Sequence, residues 1–299
     1  MLICLLHGHK FSQKFHIFVH TMAIQVITPR EELQDIVSRF WYTDPYSLTV
    51  GAPTIRIMAN GAPGIIFHHA DGRSAVLDPT GSPLPVSFIY GQRTFPCLNH
   101  VTAHPFVFGV DLHPDALRRL FGLDAALLTN ALLDLEDLLG VRINDRLFEA
   151  RTNFELVEVF SDLLISRRMP RHADPVVDES IRLIVRNTGL LTPGTLSRRF
   201  NLSARQFQRR FKTYVGVCPE TYLRIARFQR AIHLLQQHPV PRLTDIGYRL
   251  GYTDQSYFIR EFRYFSGLSP RMFLRTLNRP QPFSATPAAS ASTLRIIHD

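Results

Sequence analysis

An internal repeat constrains this chain more than any other feature of its sequence. Two segments in the last third align at a constant offset of 51 residues, and the helices predicted just before them, around Leu196 and Ile246, are offset by 50. Chance rarely gives many matches at one offset, so one supersecondary unit is predicted to occur twice. The matched pairs are Phe207 and Phe258, Arg209 and Arg260, Phe211 and Phe262, Lys212 and Arg263, Gly216 and Gly267, Pro219 and Pro270, and Arg224 and Arg275.

Each copy has the residues of a helix, a tight turn and a second helix. In the first copy Asn201 tolerates the left-handed conformation of the turn, and Ser203 is a favourable N-cap for the second helix. Gly251 and Asp254 are predicted to do the same in the second copy. Apolar residues at helical spacing then form one face of each second helix, which is expected to be buried. These residues are Phe207, Phe211, Tyr214, Phe258, Phe262 and Phe265.

Another face of each second helix is polar, and the surrounding sequence is basic. Residues 181–277 carry 17 Arg and Lys but 4 Asp and Glu, a net charge of +13, whereas the rest of the chain carries −4. A solvated face would explain one such helix, but its repetition favours a DNA-reading surface, because Arg can grip guanine and Gln can grip adenine with two hydrogen bonds. The predicted base-reading residues are Arg205, Gln208 and Arg209 in the first copy and Gln255, Ser256 and Arg260 in the second, with Gln206 and Tyr257 as further candidates.

Other basic residues have less specific roles. Lys212 and Arg263 lie further along each helix and are predicted to contact phosphates, which position the protein without reading sequence. Five more arginines are either phosphate contacts or solubilising surface charge, and the sequence leaves both alternatives open. They are Arg198, Arg199, Arg210, Arg224 and Arg249.

The segment 196–277 resembles the AraC/XylS family of transcription activators. The residues that carry the resemblance are Ser203, Phe207, Phe211, Lys212 and Gly216, then Arg227, Ala231, Leu234 and Leu235, and then Ile246, Gly251, Tyr252, Asp254 to Phe258, Arg260, Phe262, Arg263, Gly267, Ser269 and Pro270. The resemblance implies that a long helix over 219–237 sets the two recognition helices into successive major grooves, roughly 34 Å apart. Ser197 and Gly247 replace the family's usual alanines, and Phe273-Leu274-Arg275 replaces its closing Tyr-Arg pair, which affects stability rather than the reading face.

The N-terminal half is predicted to be a β-rich domain with packed helices. Residues 28–41 have the pattern of a short amphipathic helix, residues 49–112 alternate short apolar runs with Gly and Pro, and residues 114–168 have helical periodicity. By the resemblance, this region is a ligand-sensing or dimerisation domain. The order of Trp41, Pro63-Gly64, Phe108-Gly109-Val110 and a helical stretch over 132–139 is similar to the sensor domain of one AraC-type subgroup. The leucines of that stretch are expected to lie in the domain core or, alternatively, at a dimer interface.

The predicted fold class is α+β, with the β-rich regulatory domain followed by an all-α domain of two tandem helix-turn-helix units. The predicted divisions are an N-terminal extension (1–27), the regulatory domain (28–168), a linker (169–180), the DNA-binding domain (181–277) and a disordered tail (278–299). Residues 1–22 are apolar but interrupted by Lys10 and Lys14, so no targeting signal is indicated, and Met22 is an alternative start. The cytoplasm is the expected location.

No cofactor or metal site is predicted. Cys4, Cys97 and Cys218 are too scattered for a disulfide framework or a structural zinc site. His68 and His69 are expected to point to opposite faces of a strand, so they cannot readily bind one metal ion.

The sequence therefore predicts a non-enzymatic, sequence-specific transcription regulator, most simply an activator. Its expected partner is double-stranded DNA. RNA polymerase, a small-molecule effector and a second copy of the chain are further expected partners, and no binding to a membrane is expected. An architectural DNA binder is the first alternative, although it would not need Gln and Ser on its reading faces. An enzyme fused to a DNA-binding module is the second, but no nucleophile elbow, phosphate loop or HExxH helix is found.

Overall fold

The computed structural model describes residues 24–43, 54–169, 172–187, 191–237 and 242–277. The predicted tail over 278–299 and most of the predicted N-terminal extension, including Met22, lie outside these ranges. Among the described residues, no helix is both long and apolar enough to cross a membrane.

The N-terminal domain is built on two antiparallel sheets. The larger sheet has the strand order β1-β2-β8-β4-β6-β9, and the smaller has the order β3-β7-β5. The first strand lies within the predicted N-terminal extension and pairs with the second, so the sheet begins before residue 28. The strands are β1 (Ile24–Ile27), β2 (Val37–Thr43), β3 (Thr54–Ile57), β4 (Gly64–His69), β5 (Val76–Leu77), β6 (Ser87–Tyr90), β7 (Cys97–Val101), β8 (Phe106–Leu112) and β9 (Leu132–Asp134).

Helices cover one face of the larger sheet. They are α1 (Ala116–Phe121), α2 (Leu135–Leu139), α3 (Ile143–Glu149) and α4 (Asn153–Ser166). Phe108 of β8 stacks on Phe160 of α4, with ring centroids 5.5 Å apart, inside a continuous apolar core. On the other face, Val76 of the smaller sheet packs with Phe88 and Tyr90. The domain therefore buries both faces of its larger sheet.

Two predicted helices in this domain are wrong in part or in whole. Within residues 28–41, only Glu31–Leu33 forms a 3-10 turn, and β2 begins at Val37. That strand lies between β1 and β8 and is buried on both faces, so its apolar run does not alternate as an edge strand would. In the stretch 132–139, the first three residues form β9, and the helix starts at Leu135. Leu135 and Leu139 lie in the domain core.

The C-terminal region is all-helical. Its helices are α5 (Pro175–Arg186), α6 (Pro193–Arg199), α7 (Ala204–Val215), α8 (Pro219–Leu235), α9 (Leu243–Arg249), α10 (Gln255–Ser266) and α11 (Pro270–Leu277). The helix α5 begins inside the predicted linker, and its Val177 is buried in the first helical core. The β-rich domain followed by an all-α region confirms the predicted fold class.

The long helix α8 belongs to two cores at once. Tyr222 and Leu223, near its start, pack with α5, α6 and α7 in what we call the first unit. Phe228 and Leu235, further along, pack with α9, α10 and α11 in the second unit. Because α8 contributes side chains to both cores, it connects the two units.

Candidate DNA-binding interface

The two candidate recognition helices, α7 and α10, are matched residue for residue by the repeat. Each has 12 residues, and both their first and last residues are 51 apart. The preceding helices, α6 and α9, are 50 apart, so the second turn is one residue longer, as the sequence predicts. Asn201 (φ 53°) and Gly251 (φ 72°) have the left-handed conformation expected of them.

The predicted N-caps begin both helices. The Ser203 side chain accepts a hydrogen bond from the backbone N–H of Gln206, and the Gln206 side chain accepts one from the backbone N–H of Ser203. This reciprocal pair satisfies two backbone donors that the helix cannot. In the second unit the Asp254 carboxylate accepts from the backbone N–H of Tyr257 at 2.7 Å.

The apolar faces of both helices are buried as predicted. Phe207 and Phe211 lie in the core of the first unit, and Phe258, Phe262 and Phe265 lie in that of the second. Tyr214 is half-buried at the edge of the first core. Burial of these rings fixes the rotation of each helix about its axis, which determines the residues that face outward.

Most predicted DNA-contacting residues are exposed. The side-chain oxygen of Gln206 is engaged in the capping hydrogen bond with Ser203. Gln255 and Tyr257 are half-buried. The Tyr257 hydroxyl donates to Glu261 at 3.3 Å, and the Arg260 guanidinium lies 5.9 Å from the centre of the Tyr257 ring. The exposed ones are Arg205, Gln206, Gln208, Arg209 and Lys212 on α7 and Ser256, Arg260 and Arg263 on α10.

Two of the five arginines with open roles are structural. Arg210 donates to Asp174, the buried N-cap residue of α5. Arg224 of α8 donates through Nε to Glu261 of α10 at 2.7 Å. Neither role was foreseen, because each partner lies 36 or 37 residues away and the sequence carries no sign of the pairing.

Glu261 is the centre of a buried polar cluster behind the reading face of α10. Its side chain is 1% exposed and accepts hydrogen bonds from Arg224, from the Tyr252 hydroxyl at 2.9 Å and from the Tyr257 hydroxyl at 3.3 Å. Burial, together with the Glu261 carboxylate, raises the pKa of Tyr252 well above its ordinary value. The Tyr252 phenol therefore remains a hydrogen-bond donor. The cluster holds α10 against α8 and against the turn that follows α9.

A second buried polar cluster lies in the N-terminal domain, on the sheet face away from the helices. Asp111 accepts from Arg39 Nε at 2.6 Å and from Trp41 Nε1 at 2.8 Å. Burial raises the pKa of Tyr90, and the nearby Asp111 carboxylate raises it further. Thr43 Oγ1 is buried without a hydrogen-bond partner among the described residues. A buried hydroxyl of this kind can still form a hydrogen bond with a further polar group.

The paired histidines point to opposite faces of β4, as predicted. His68 packs edge-on against Phe88 and its Nε2 lies 2.9 Å from the Pro85 carbonyl oxygen. Burial lowers the pKa of His68 to about 4, against the opposing effect of that carbonyl. His69 packs against Phe106 and Phe148 on the helix-covered face.

Comparisons with known families match both halves of the chain. Residues 196–276 match the family described as "Helix-turn-helix domain", and residues 25–134 match "Domain of unknown function (DUF6597)". The first match contains every residue predicted to contact DNA.

Curated relatives are similar over the C-terminal region. The HTH-type transcriptional activator RhaS of Escherichia coli O139:H28 is 40% identical over 76 residues, which are 25% of this chain and 27% of that protein. RhaS of Escherichia coli K12 (DH10B) is 40% identical over 73 residues, 24% of this chain and 26% of that protein. The chain thus spans about a quarter of the length of the curated relatives it matches.

Solved structures with similar regions include the C-terminal domain of AraT, a response regulator from Geobacillus stearothermophilus. It is 28% identical, has a TM-score of 0.33, and covers 34% of this chain and 86% of its own. ToxT from Vibrio cholerae is 12% identical with a TM-score of 0.46, covering 76% of this chain and 95% of its own.

The sequence matches and the geometry of the repeat agree over the C-terminal region. The matched helix-turn-helix region contains two capped recognition helices at one offset, and the relatives similar to it are named as HTH-type transcriptional activators. Residues 196–276 are therefore similar to the helix-turn-helix regions of AraC/XylS-family activators.

Proposed function

We propose that this protein is a sequence-specific DNA-binding transcription regulator that reads two successive major grooves with α7 and α10. The observation that carries the proposal is the pair of exposed polar faces at equivalent positions of two capped helices. Arg209 and Arg260 are the central pair, since both are exposed and lie 51 residues apart. Arg is the residue best suited to grip guanine in the major groove.

The charge around these helices supports DNA as the partner. Of the four acidic residues in 181–277, Glu261 is buried in an ion pair and Asp254 caps a helix. Neither carboxylate is therefore free to neutralise the positive charge of the surface. Lys212 and Arg263, exposed one turn beyond the reading residues, are proposed phosphate contacts. Neutralising phosphates releases counterions, so binding should weaken steeply with salt.

The N-terminal domain is proposed to control DNA binding by sensing a small molecule or by forming a dimer. The buried Thr43 hydroxyl, on the same face of β2 as Trp41 and without a hydrogen-bond partner among the described residues, supports a polar effector. Similarity to activators named RhaS supports activation, with RNA polymerase as a further partner. The cytoplasm remains the proposed location and no catalytic role is proposed.

The test is selection of binding sites by the full chain from random duplex DNA, followed by affinity measurements across a salt series. We expect a motif of two boxes about one helical turn apart, bound at least about a thousandfold more tightly than random DNA. Arg209→Ala should relax the base preference in one box, and Arg260→Ala in the other.

The matched control is Arg230→Ala, which removes the same charge from an exposed position of α8. It should leave the selected motif unchanged. If no motif is enriched, or if all three variants weaken every sequence equally, the protein is an architectural binder and does not read bases.

A further inference from the structure

Both recognition helices end against the N-terminal domain, at equivalent positions of the repeat. Gly216 ends α7 and Gly267 ends α10, each in the left-handed conformation. A β-carbon added at Gly216 would lie 3.0 Å from both the Ala125 carbonyl oxygen and Thr129 Oγ1. One added at Gly267 would lie 2.6 Å from Nη1 of Arg56. The N-terminal domain therefore touches both helices at their C-terminal caps.

The first contact is made by the 3-10 turn Ala125–Leu128 and the residue that follows it. Thr129 Oγ1 donates a hydrogen bond to the Gly216 carbonyl oxygen at 2.7 Å. The Arg118 guanidinium of α1 lies 5.9 Å from the centre of the Tyr214 ring. Carbonyl groups at a helix C-terminus lack donors within the helix, so the Thr129 hydroxyl satisfies a group that needs one.

The second contact is made by the residues that follow β3. The backbone N–H of Ala59 donates to the Phe265 carbonyl oxygen at 3.2 Å, and Gln229 Nε2 of α8 donates to the Ala59 carbonyl oxygen. Met58 and Ala59 are buried in the same apolar cluster as Phe228 and Phe265. Two residues of the N-terminal domain thus complete the core of the second unit.

The two contacts are tied to each other inside the N-terminal domain. Gln92 Nε2 donates to the Gly61 carbonyl oxygen at 2.8 Å, two residues from Ala59. The backbone N–H of Asn130, next to Thr129, donates to the Gln92 carbonyl oxygen at 2.8 Å. The residues that hold α7 and those that hold α10 therefore belong to one hydrogen-bonded framework.

This framework lies away from the reading faces. The proposed base contacts occupy the first turns of each helix, and Arg205, Arg209, Ser256 and Arg260 are all exposed. The N-terminal domain instead contacts the far ends of the helices. Its contacts can act on the placement of the helices without covering the residues that would meet DNA.

We propose that Thr129 and the Ala59–Gln229 contact are positioning elements, which fix the separation of the two recognition helices and so determine the box spacing that the protein accepts. The inference rests on the proposed two-box DNA binding. Two linked binding modules reinforce each other only when their geometry allows both to engage. A framework that holds both recognition helices should favour one spacing between the DNA boxes. The helices are then already placed for that spacing, so less conformational entropy is lost on binding.

The experiment measures affinity of the full chain for the selected two-box operator and for versions with one base pair added or removed between the boxes. The variants are Thr129→Val, Gln229→Met and their combination. Each lost hydrogen bond should weaken binding at the natural spacing by about threefold to tenfold. Each single variant should lose part of the preference for that spacing and the combination most of it, while affinity for a single box stays within about twofold of the wild type.

Two controls separate positioning from a general loss of stability. Thr129→Ser keeps the hydroxyl and should restore the spacing preference. Thr102→Val removes a similar hydroxyl hydrogen bond, to the Ala75 carbonyl oxygen, inside the N-terminal domain, and should leave the preference intact. The single variants keep the test decisive if the combined variant does not fold.

The inference is overturned if Thr129→Val, Gln229→Met and their combination all keep the wild-type spacing preference, because α8 alone would then set the distance. A wild-type protein with no preference for two-box sites over random DNA would instead contradict the proposed function itself. The two failures are distinguishable, since the first requires a selective wild-type protein and the second excludes one.

Discussion

The two helix-turn-helix units share one backbone plan but hold their recognition helices with opposite charges. Arg210 in the first unit and Glu261 in the second occupy the same repeat position, 51 residues apart. Arg210 pairs with Asp174 of the α5 N-cap, whereas Glu261 pairs with Arg224 of α8. In both units this position forms an ion pair with a neighbouring helix or its N-cap, whichever sign the recognition helix supplies.

The two pairs have similar access to water but differ in the other donors that the carboxylate receives. Each pair joins a carboxylate that is almost fully buried, Asp174 (3% exposed) or Glu261 (1%), to an arginine that is partly exposed. Asp174 also accepts from two backbone N–H groups of α5, whereas Glu261 also accepts from two tyrosine hydroxyls. Removal of Arg210 leaves Asp174 its backbone donors, so it should cost less than removal of Glu261, which leaves the buried Tyr252 hydroxyl without an acceptor.

Substitution of the two matched positions gives the largest expected difference. Glu261→Ala should lower the free energy of unfolding by about 2–4 kcal/mol, since it removes a buried carboxylate that accepts three hydrogen bonds, one of them from the buried Tyr252 hydroxyl. Arg210→Ala should lower it by about 1–2 kcal/mol, because the buried Asp174 loses its arginine but keeps two backbone N–H donors. Urea unfolding at pH 7 measures both. Glu261→Gln, which keeps an acceptor, should fall between the two values. Equal losses for Glu261→Ala and Arg210→Ala would show that the two ion pairs contribute equally to stability.

A pH series tests a buried carboxyl of the N-terminal domain, Asp115, which is influenced by Asp178 of the first unit. Burial raises the pKa of Asp115 to about 6, against the opposing charge of Arg119, and Asp178 of α5 raises it further. Because the folded pKa lies above the unfolded value of 3.8, stability from the neutral form is full below pH 3.8 and is lost as pH rises through 6.

Asp115→Asn removes this titration. The variant should be more stable than the wild type by about 1–3 kcal/mol at pH 7, and the difference should vanish near pH 4. Unfolding midpoints at pH 4, 5.5 and 7 measure it. A stability difference that stays constant over this range would show that Asp115 does not carry the pH dependence.

The smallest expected effect concerns the first helix of each unit. A β-carbon at Gly247 would lie 3.8 Å from the nearest atom, Phe258 Cβ, which is ordinary contact. Gly247→Ala should therefore raise the free energy of unfolding by about 0.5–1 kcal/mol, from helix propensity alone. At the matched position, Ser197→Ala should change it by less, because the lost Ser197 hydrogen bond to the Gly194 carbonyl oxygen opposes the gain. A destabilised Gly247→Ala variant would mean that α9 packs more tightly than this distance indicates.

Sequence reasoning succeeded where the determinants of structure are local. N-caps, left-handed turn residues and the periodicity of Phe207 and Phe258 depend on neighbours a few residues away, so the repeat predicted α7 and α10 and the faces they bury. It failed where tertiary position decides. The strand β2 was predicted as part of a helix because its burial on both faces comes from β1 and β8, which lie elsewhere in the chain.

The same distinction applies to the candidate site. Exposure of Arg209 and Arg260 follows from helix periodicity, whereas the pairing of Arg210 and of Arg224 depends on partners more than 30 residues away. The contacts of Thr129 and Ala59 with the recognition helices cross between domains. No local pattern in the sequence indicates contacts of this kind.

A cross between protein variants and operator variants determines whether each recognition helix reads its own box. Affinities of the wild type, Arg209→Ala, Arg260→Ala and the double variant would be measured on the selected operator and on operators with one base changed in either box. We predict that each arginine substitution costs about 1–3 kcal/mol and removes sensitivity to a base in one box only, with losses that add across boxes to within about 0.5 kcal/mol. If instead each substitution weakens binding to every operator equally, neither recognition helix reads the bases of its own box.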